Sequence, residues 1–330
     1  MLTVIGENII DLVPLDGDDP DNAAPAYRAF AGGSPANVAV AAARLGTETA
    51  LIARISRDVF GARVRARLKA GDVSDRYLVT ASEPSSLAVV SFDEQRRASY
   101  DFWLNGTADW QWSDAELPIP LAPDVTALHV GSLAAYLEPG ASAITRLLRS
   151  EHQRGNVTIS LDPNVRPNII GGPGGDLSAA RERTERLVSF AHVVKVSDED
   201  LGALYPGRPL EDVTREWLAL GPALVVLTRG GEGALALGRN VSIEVPAPKI
   251  ELADTVGAGD TFSGALLHSL AHAGLLGASG LARLLSIDAA QLRPIIEAAT
   301  AAAAINCTRP GPNPPTAAEL ADFMAANRPT

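Results

Sequence analysis

Residues 254–264 read DTVGAGDTFSG. Gly257, Ala258 and Gly259 run directly into an acid, Asp260, and an apolar run from Phe262 to Leu270 follows. Glycine gives up backbone order, so a turn built from it is expected to gain something in return. Phe262, Ala265, Leu266, Leu270 and Ala273 share one face, which predicts a helix over 260–273. A Gly-rich turn that opens a helix points several backbone N–H groups one way, with the helix dipole behind them. That is an anion site. Asp260 falls in the first turn, beside it. A carboxylate there repels a bound anion but has a purpose if it takes a proton from an attacking hydroxyl. The plainer alternative is a helix-start carboxylate on a tight turn, and the local sequence leaves both readings open.

Outward from this stretch, short apolar runs alternate with helical patterns. Residues 2–6, 49–55, 125–131, 157–162, 192–197 and 223–228 read as strands, near-continuously apolar and rich in Val and Ile. Parallel strands covered on both faces read this way. Helices are predicted over 34–45, 140–153, 178–190, 211–220, 260–273 and 290–305. The first has Ser34 at a cap position, Pro35 in its first turn and Gly46 after its end; Val38, Ala41, Ala42 and Leu45 lie on one face. The alternation predicts an α/β fold, a mostly parallel sheet with helices on both sides. Residues 12–30 and 84–107 break the rhythm. Two β-like runs around the polar turn DEQRR (93–97) predict a small inserted lid of strands. The Gly/Pro-rich stretch 166–176 reads as a loop, and the chain as a single domain over 1–330.

Bulk properties remove several functions. The chain has 330 residues, 46% hydrophobic and 20% charged, with a net charge of −11. No Lys/Arg-rich block occurs, so nucleic acid is not an expected partner. One cysteine, Cys307, forms no internal disulfide and points to a reducing compartment; a packed core thiol is its simplest reading. The start carries neither a basic n-region nor a long apolar run, and no stretch of 18 apolar residues exists. The expectation is a cytoplasmic protein with no membrane partner.

Two further loops carry chemistry. In FAGGSPANVAVAAARLG (30–46), Gly32 and Gly33 let a ligand approach the backbone, and Asn37 offers donor and acceptor in the first helical turn, which suits a polyol. A capped helix after a glycine turn would look the same. In VVLTRGGEGALAL (225–237), Thr228, Gly230 and Gly233 follow a strong strand, at the end of the sheet where α/β ligands bind; a hairpin turn is the alternative. No G-x-x-x-x-G-K-[ST] is present, and Gly6 stands alone after the first strand. A P-loop is therefore excluded and a dinucleotide fold disfavoured.

Taken in order, these loops resemble the ribokinase-like (PfkB) carbohydrate kinases over essentially the whole chain. GGSPANVAVAAARLG is similar to the family's first signature and DTVGAGDTFSGALL to its second. DPNVRP (162–167), KVSDEDL (195–201) and NGTADW (105–110) are most similar to the fructokinase branch. The resemblance implies a three-layer α/β/α fold with a β lid whose closure excludes water. It implies an ATP-dependent kinase that phosphorylates a primary hydroxyl of a sugar, fructose first. Asp260 would be the base, and the amides of Gly257, Ala258 and Gly259 the anion hole. Asp11, Gly32, Gly33 and Asn37, with Arg166, would hold the sugar. Thr228, Gly230 and Gly233 would line the ATP phosphates, and Asn306 would pack against adenine or ribose. A homodimer through the lid is the oligomer it suggests.

One departure concerns the metal. Many members carry N-x-x-E where this chain has Ser197-Asp198-Glu199-Asp200. Mg²⁺ is still expected, because the ATP phosphates need screening. Asp200 or Glu199 would support it, and Asp254 matches the region where many relatives bind a monovalent cation, here K⁺. His268 and His272 are spaced as in zinc helices but lack the surrounding motif. Trp103, Trp110 and Trp112 would cover the sugar or simply pack the lid. The runners-up are a 2-keto-3-deoxygluconate kinase or another furanose or ketose kinase. From other classes come a sugar-binding protein without catalysis, against which the intact Asp260 turn argues, and a dehydrogenase. A keto acid would need a fixed cation, for which Arg166 is the candidate; Arg96 and Arg97 fall in the lid turn.

Overall fold

The computed structural model describes residues 1–15, 26–92, 98–113 and 115–327. Along the chain run β1 (Leu2–Ile5), β2 (Ile9–Pro14), β3 (Tyr27–Ala31), α1 (Ser34–Arg44), β4 (Thr49–Ser56), α2 (Val59–Ala70), β5 (Leu78–Ala81), β6 (Ser86–Phe92) and β7 (Ala98–Trp103). Next come β8 (Ala127–Gly131), α3 (Gly140–Arg154), β9 (Thr158–Asp162), α4 (Pro167–Ile170), α5 (Ser178–Val188), β10 (Val193–Ser197), α6 (Asp198–Leu204) and α7 (Leu210–Ala219). The last are β11 (Leu224–Thr228), β12 (Ala234–Gly238), β13 (Val241–Val245), α8 (Ala258–His272), α9 (Gly277–Leu285), α10 (Ala289–Cys307) and α11 (Ala317–Ala326).

Among the described residues the main sheet has nine strands in the order β13-β12-β11-β10-β9-β8-β1-β4-β5. It is parallel from β11 to β5, while β12 and β13 add antiparallel. Strand residues alternate between two cores. Leu224 and Val226 pack with α1, α8 and α10; Val225 and Leu227 pack with α3, α6 and α7. Both faces of the strand are covered, which is why these runs are continuously apolar. The result is a three-layer α/β/α sandwich. The chain reverses direction across the sheet between β1 and β8, and α/β proteins bind ligands outside the carboxyl ends of strands at such a point.

A second sheet, β3-β2-β6-β7, stands apart. Its outer pairs are antiparallel, and β2 lies parallel to β6. This is the small inserted sheet expected from 12–30 and 84–107. Residues 16–25 of the first segment, and the 93–97 turn with Arg96 and Arg97, lie outside the described residues.

All six predicted main-sheet strands form, within two residues of the expected ends, as β1, β4, β8, β9, β10 and β11. The sequence reading omitted β5, β12, β13, α2, α6, α9 and α11, and the stretch 166–176 that it read as a loop carries the short helix α4. Strand β13 has the alternating buried and exposed pattern of a half-covered edge, and β5 has four residues. Helix α2 buries only Gly61, Val64 and Leu68 amid arginines, so its apolar stripe is thin. At α1 the expected cap is corrected. Gly33, with φ 97°, is the N-cap, and Ser34 is the first helical residue. Its hydroxyl is used elsewhere.

Candidate active site

Gly257 caps the start of α8, and its φ of 76° is the left-handed turn that glycine allows. A Cβ there would also lie 2.7 Å from Pro312 Cβ. The Ala258 N–H donates to Thr255 O, and Thr261 N–H to Gly257 O. The amides of Gly259 and Asp260 sit in the first turn, where a helix has no acceptor of its own for them. Gly259 is helical, so its lack of a side chain serves space. A Cβ would come 2.9 Å from Lys195 Nζ.

Asp260 is 8% exposed. Ser34 Oγ donates to its Oδ1 at 2.6 Å, and Asn37 Nδ2 to its Oδ2 at 2.7 Å. Burial raises its carboxyl above the ordinary range, and the two donors oppose that shift. The two signatures therefore meet at one carboxylate. On the far side of Asn37, Arg67 Nη2 donates to Oδ1 at 2.6 Å. Asp11, half-buried in β2, lies against Gly32, where a Cβ would come 2.5 Å from its Oδ2. Burial pushes Asp11 up to about 6 against the pull of Arg67. Gly33 has no room for a side chain, because a Cβ would meet Glu7 O at 2.5 Å. Asp11, Gly32, Gly33, Asn37 and Asp260 thus form one cluster between the lid and α8.

Beneath α8 lies a second charged group. Ile159 and Leu161 of β9 face the α3 side, so Asp162 faces α8. Lys195, 5% exposed, donates to Asp162 Oδ2 at 2.9 Å, and Ser263 donates to the same oxygen at 3.1 Å. Burial opposes the charge of Lys195, but Asp162 and Asp200 outweigh it and its pKa rises. Asp162 Oδ1 is buried and has no hydrogen-bond partner among the described residues. Asp200 Oδ1 accepts from Val165 N–H at 2.8 Å, and burial raises its carboxyl. Glu199, its sequence neighbour, is exposed.

The other expected residues divide. Thr228, Gly230 and Gly233 form the β11–β12 hairpin turn, and Thr228 pairs in register with Ser197 beside the start of α6. The hairpin reading and the carboxyl-edge placement both hold. Arg166 is exposed at the start of α4 and donates to Val165 O. Asn306 is a correction. It is fully enclosed, and its amide is used by the protein: Nδ2 donates to Val256 O at 2.8 Å, and Oδ1 accepts from Asn313 N–H and Thr261 Oγ1. It fastens the turn that opens α8 and has no surface for a nucleotide. Asp254 accepts from Val256 and Gly311 amides, holding the same loop. Trp103 is exposed, whereas Trp110 and Trp112 are buried in the α3-side core. His268 and His272 stack 6.2 Å apart, and His268 Nδ1 lies 2.8 Å from Thr47 Oγ1. No group of three His, Cys, Asp or Glu suited to a metal occurs among the described residues.

Four participants escaped the sequence reading. Ser34 was taken for a cap. Arg67 lies in a helix with no clear stripe. Asp162 and Lys195 stood inside quoted motifs, and a polar residue on a strand otherwise buried on both faces was the signal available.

Fold and site define a three-layer α/β protein with a small second sheet, a glycine turn that opens α8 and a buried carboxylate in the first turn of that helix. The pattern of the pfkB family carbohydrate kinases matches residues 1–319. A protein named fructokinase from Rhizobium leguminosarum bv. trifolii is 34% identical over 276 residues, which cover 84% of this chain and 81% of that one. The solved fructokinase with bound ATP from Xylella fastidiosa superposes with a TM-score of 0.87 at 25% identity, covering 98% of each chain. A double-mutant fructokinase from Vibrio cholerae O395, solved with fructose, ADP and potassium ion bound, gives 0.80 at 28% identity, again over 98% of each. The chain belongs to the pfkB family of carbohydrate kinases, and the expected ribokinase-like fold is the one these structures share.

Proposed function

We propose that this kinase transfers the γ-phosphoryl group of ATP to a primary hydroxyl of fructose. The observation that carries the reading is the Asp260 carboxylate, held by Ser34 and Asn37 at the mouth of the α8 turn. Ser34 places a hydroxyl 2.6 Å from Asp260 Oδ1, the relation an acceptor sugar's hydroxyl would need. The sugar hydroxyl takes that place, Asp260 accepts its proton, and the oxygen attacks phosphorus. The Gly257 and Gly259 amides of the turn receive the transferred phosphoryl group, the expected Ala258 N–H being already donated to Thr255 O. Asp11, Gly32, Gly33 and Asn37 hold the other hydroxyls. Thr228, Gly230 and Gly233 border the nucleotide phosphates, with Arg166 at the outer rim. The small sheet closes over the sugar and excludes water.

Mg²⁺ fits as a nucleotide-borne ion, which Asp200 would support. Asp200 is committed to the Val165 amide and Glu199 faces solvent, so the phosphates and water would supply most ligands. When bound, the ion neutralises charge on the β- and γ-oxygens. K⁺ would sit among loop carbonyls near 254, while Asp254 keeps the loop's shape; a relative was solved with potassium ion bound. Tyr27, Phe30 and Trp103 are exposed on the lid sheet, which favours a homodimer formed through it; light scattering tests that directly.

A neutral ketose suits the inner site better than a keto acid, because Arg67 is already shared by Asn37, Asp11 and Asp260. The relatives' names point the same way. Side-by-side kinetics on fructose and 2-keto-3-deoxygluconate test it. The expected preference for fructose is at least about tenfold in kcat/KM, which needs about 1.4 kcal/mol of differential transition-state binding. A preference for the keto acid would transfer the enzyme to the other substrate class.

A further inference from the structure

Asn37 is polarised from both ends. Arg67 has only donors and the Asp260 carboxylate only acceptors, so the amide of Asn37 has one workable orientation: oxygen toward Arg67, nitrogen toward Asp260. Were Asn37 turned over, both ends would clash, donor on donor and acceptor on acceptor. Arg67 reaches this point because α2 buries Val64 and Leu68 and leaves position 67 on the flank that faces β3 and the site. Its guanidinium also interacts with the charges of Asp260 and Asp11.

We propose that Arg67 is a positioning residue of the kinase site: acting through Asn37 and through its own charge, it keeps Asp260 oriented and ionised for the acceptor's proton. The proposal rests on the reading of Asp260 as the base. The surroundings of Asp260 explain why an additional cation is needed. Ser34 and Asn37 of α1 supply neutral donors. From β9, Asp162 opposes its ionisation; from β10, Lys195 favours it but is bonded to Asp162 and shared with Asp200. Asp11 of β2 adds negative charge beside Arg67. Among the described residues, Arg67 is the cation of this group with no hydrogen bond to a carboxylate, and its bond in the site goes to Asn37.

The test is the pH dependence of kcat/KM for fructose in the parent and in three variants, with folding checked by thermal melting. Arg67→Met keeps the aliphatic stem and removes the charge. Its acid limb is expected to move up by about one pH unit, which costs about tenfold at pH values below the limb and much less well above it. Arg67→Gln retains an amide donor for Asn37 without charge. It should show the same limb shift with a smaller loss of plateau kcat. Arg67→Lys keeps the charge and should return the limb to within a few tenths of the parent. If Met and Gln variants lower kcat uniformly with an unmoved limb, Arg67 is only structural and the proposal fails. Should Arg67→Met not fold, Arg67→Gln decides alone. Failure of the underlying reading looks different: Asp260→Asn would then retain turnover, whatever the Arg67 variants do.

Discussion

Gly264 lies one helical turn after Asp260, where α8 crosses α1. A Cβ at this position would stand 2.6 Å from Ala41 Cβ and 2.9 Å from Val38 O. Carbon atoms pack best at about 3.5–4.0 Å, so Gly264→Ala forces the two helices apart by about 1 Å. The same interface carries the bonds from Ser34 and Asn37 to Asp260, 2.6 and 2.7 Å long. Stretched by about that amount they exceed hydrogen-bond range. Overpacking costs about 1–3 kcal/mol, against which alanine's better helix propensity returns about 0.5–1 kcal/mol. The net expectation is a modest stability loss. The catalytic loss is larger, because misplacing a reacting group by about 1 Å costs on the order of 10²-fold. Steady-state kcat on fructose and a urea melt on the same preparation measure both. A Gly264→Ala enzyme with parental kcat and parental stability would show that α1 and α8 do not need this contact, and the geometric argument would be lost.

Glu7 is 1% exposed, and burial pushes it up to about 7, despite bonds from Ser132 and the Ala134 amide. The folded state thus holds its proton more tightly than the unfolded chain, and the cost of ionising it develops as pH rises from about 4.5 through 7. Glu7→Gln removes that cost: melts should show no difference near pH 4.5 and a gain at pH 8 of up to roughly 3 kcal/mol. Parallel stability curves would contradict it. Asn306→Ala deletes the fastening of the α8 turn, leaves buried backbone groups unpaired and should cost about 2–4 kcal/mol. It should raise KM for ATP more than for fructose; an unchanged ATP KM would separate Asn306 from the turn.

The sheet was legible because its strands are buried on both faces, which leaves the continuous apolar runs at 2–6, 49–55 and 223–228 with few other readings. Strand β13 packs one face only, so its pattern is weaker, and β12, though buried on both faces, is a short Ala/Leu run with no β-branched residue; both were overlooked. In the site, Asp260 and Asn37 were legible because turn chemistry announces them locally. Ser34 was misread because a serine before a helix looks like a cap, and only the packing of α1 on α8 reveals its partner. Arg67 and Lys195 act across distances of chain that no local pattern encodes; their roles follow from which helix face and which strand face the fold turns inward. Asn306 was expected against a nucleotide, but its amide is enclosed and bonded within the protein, since burial cannot be read from a residue's position in a motif.

The claim at the centre is that Asp260 removes the acceptor's proton. Asp260→Asn preserves shape, keeps an acceptor for Asn37 and leaves Ser34 to accept rather than donate, while abolishing basicity. The decisive measurement is the single-turnover rate of fructose phosphorylation by this variant, with fructose affinity measured alongside by calorimetry. The rate is expected to fall by roughly 10²–10⁴-fold, the usual worth of a general base, with affinity little changed. A folded Asp260→Asn enzyme that phosphorylates fructose at close to the parental rate would contradict the account.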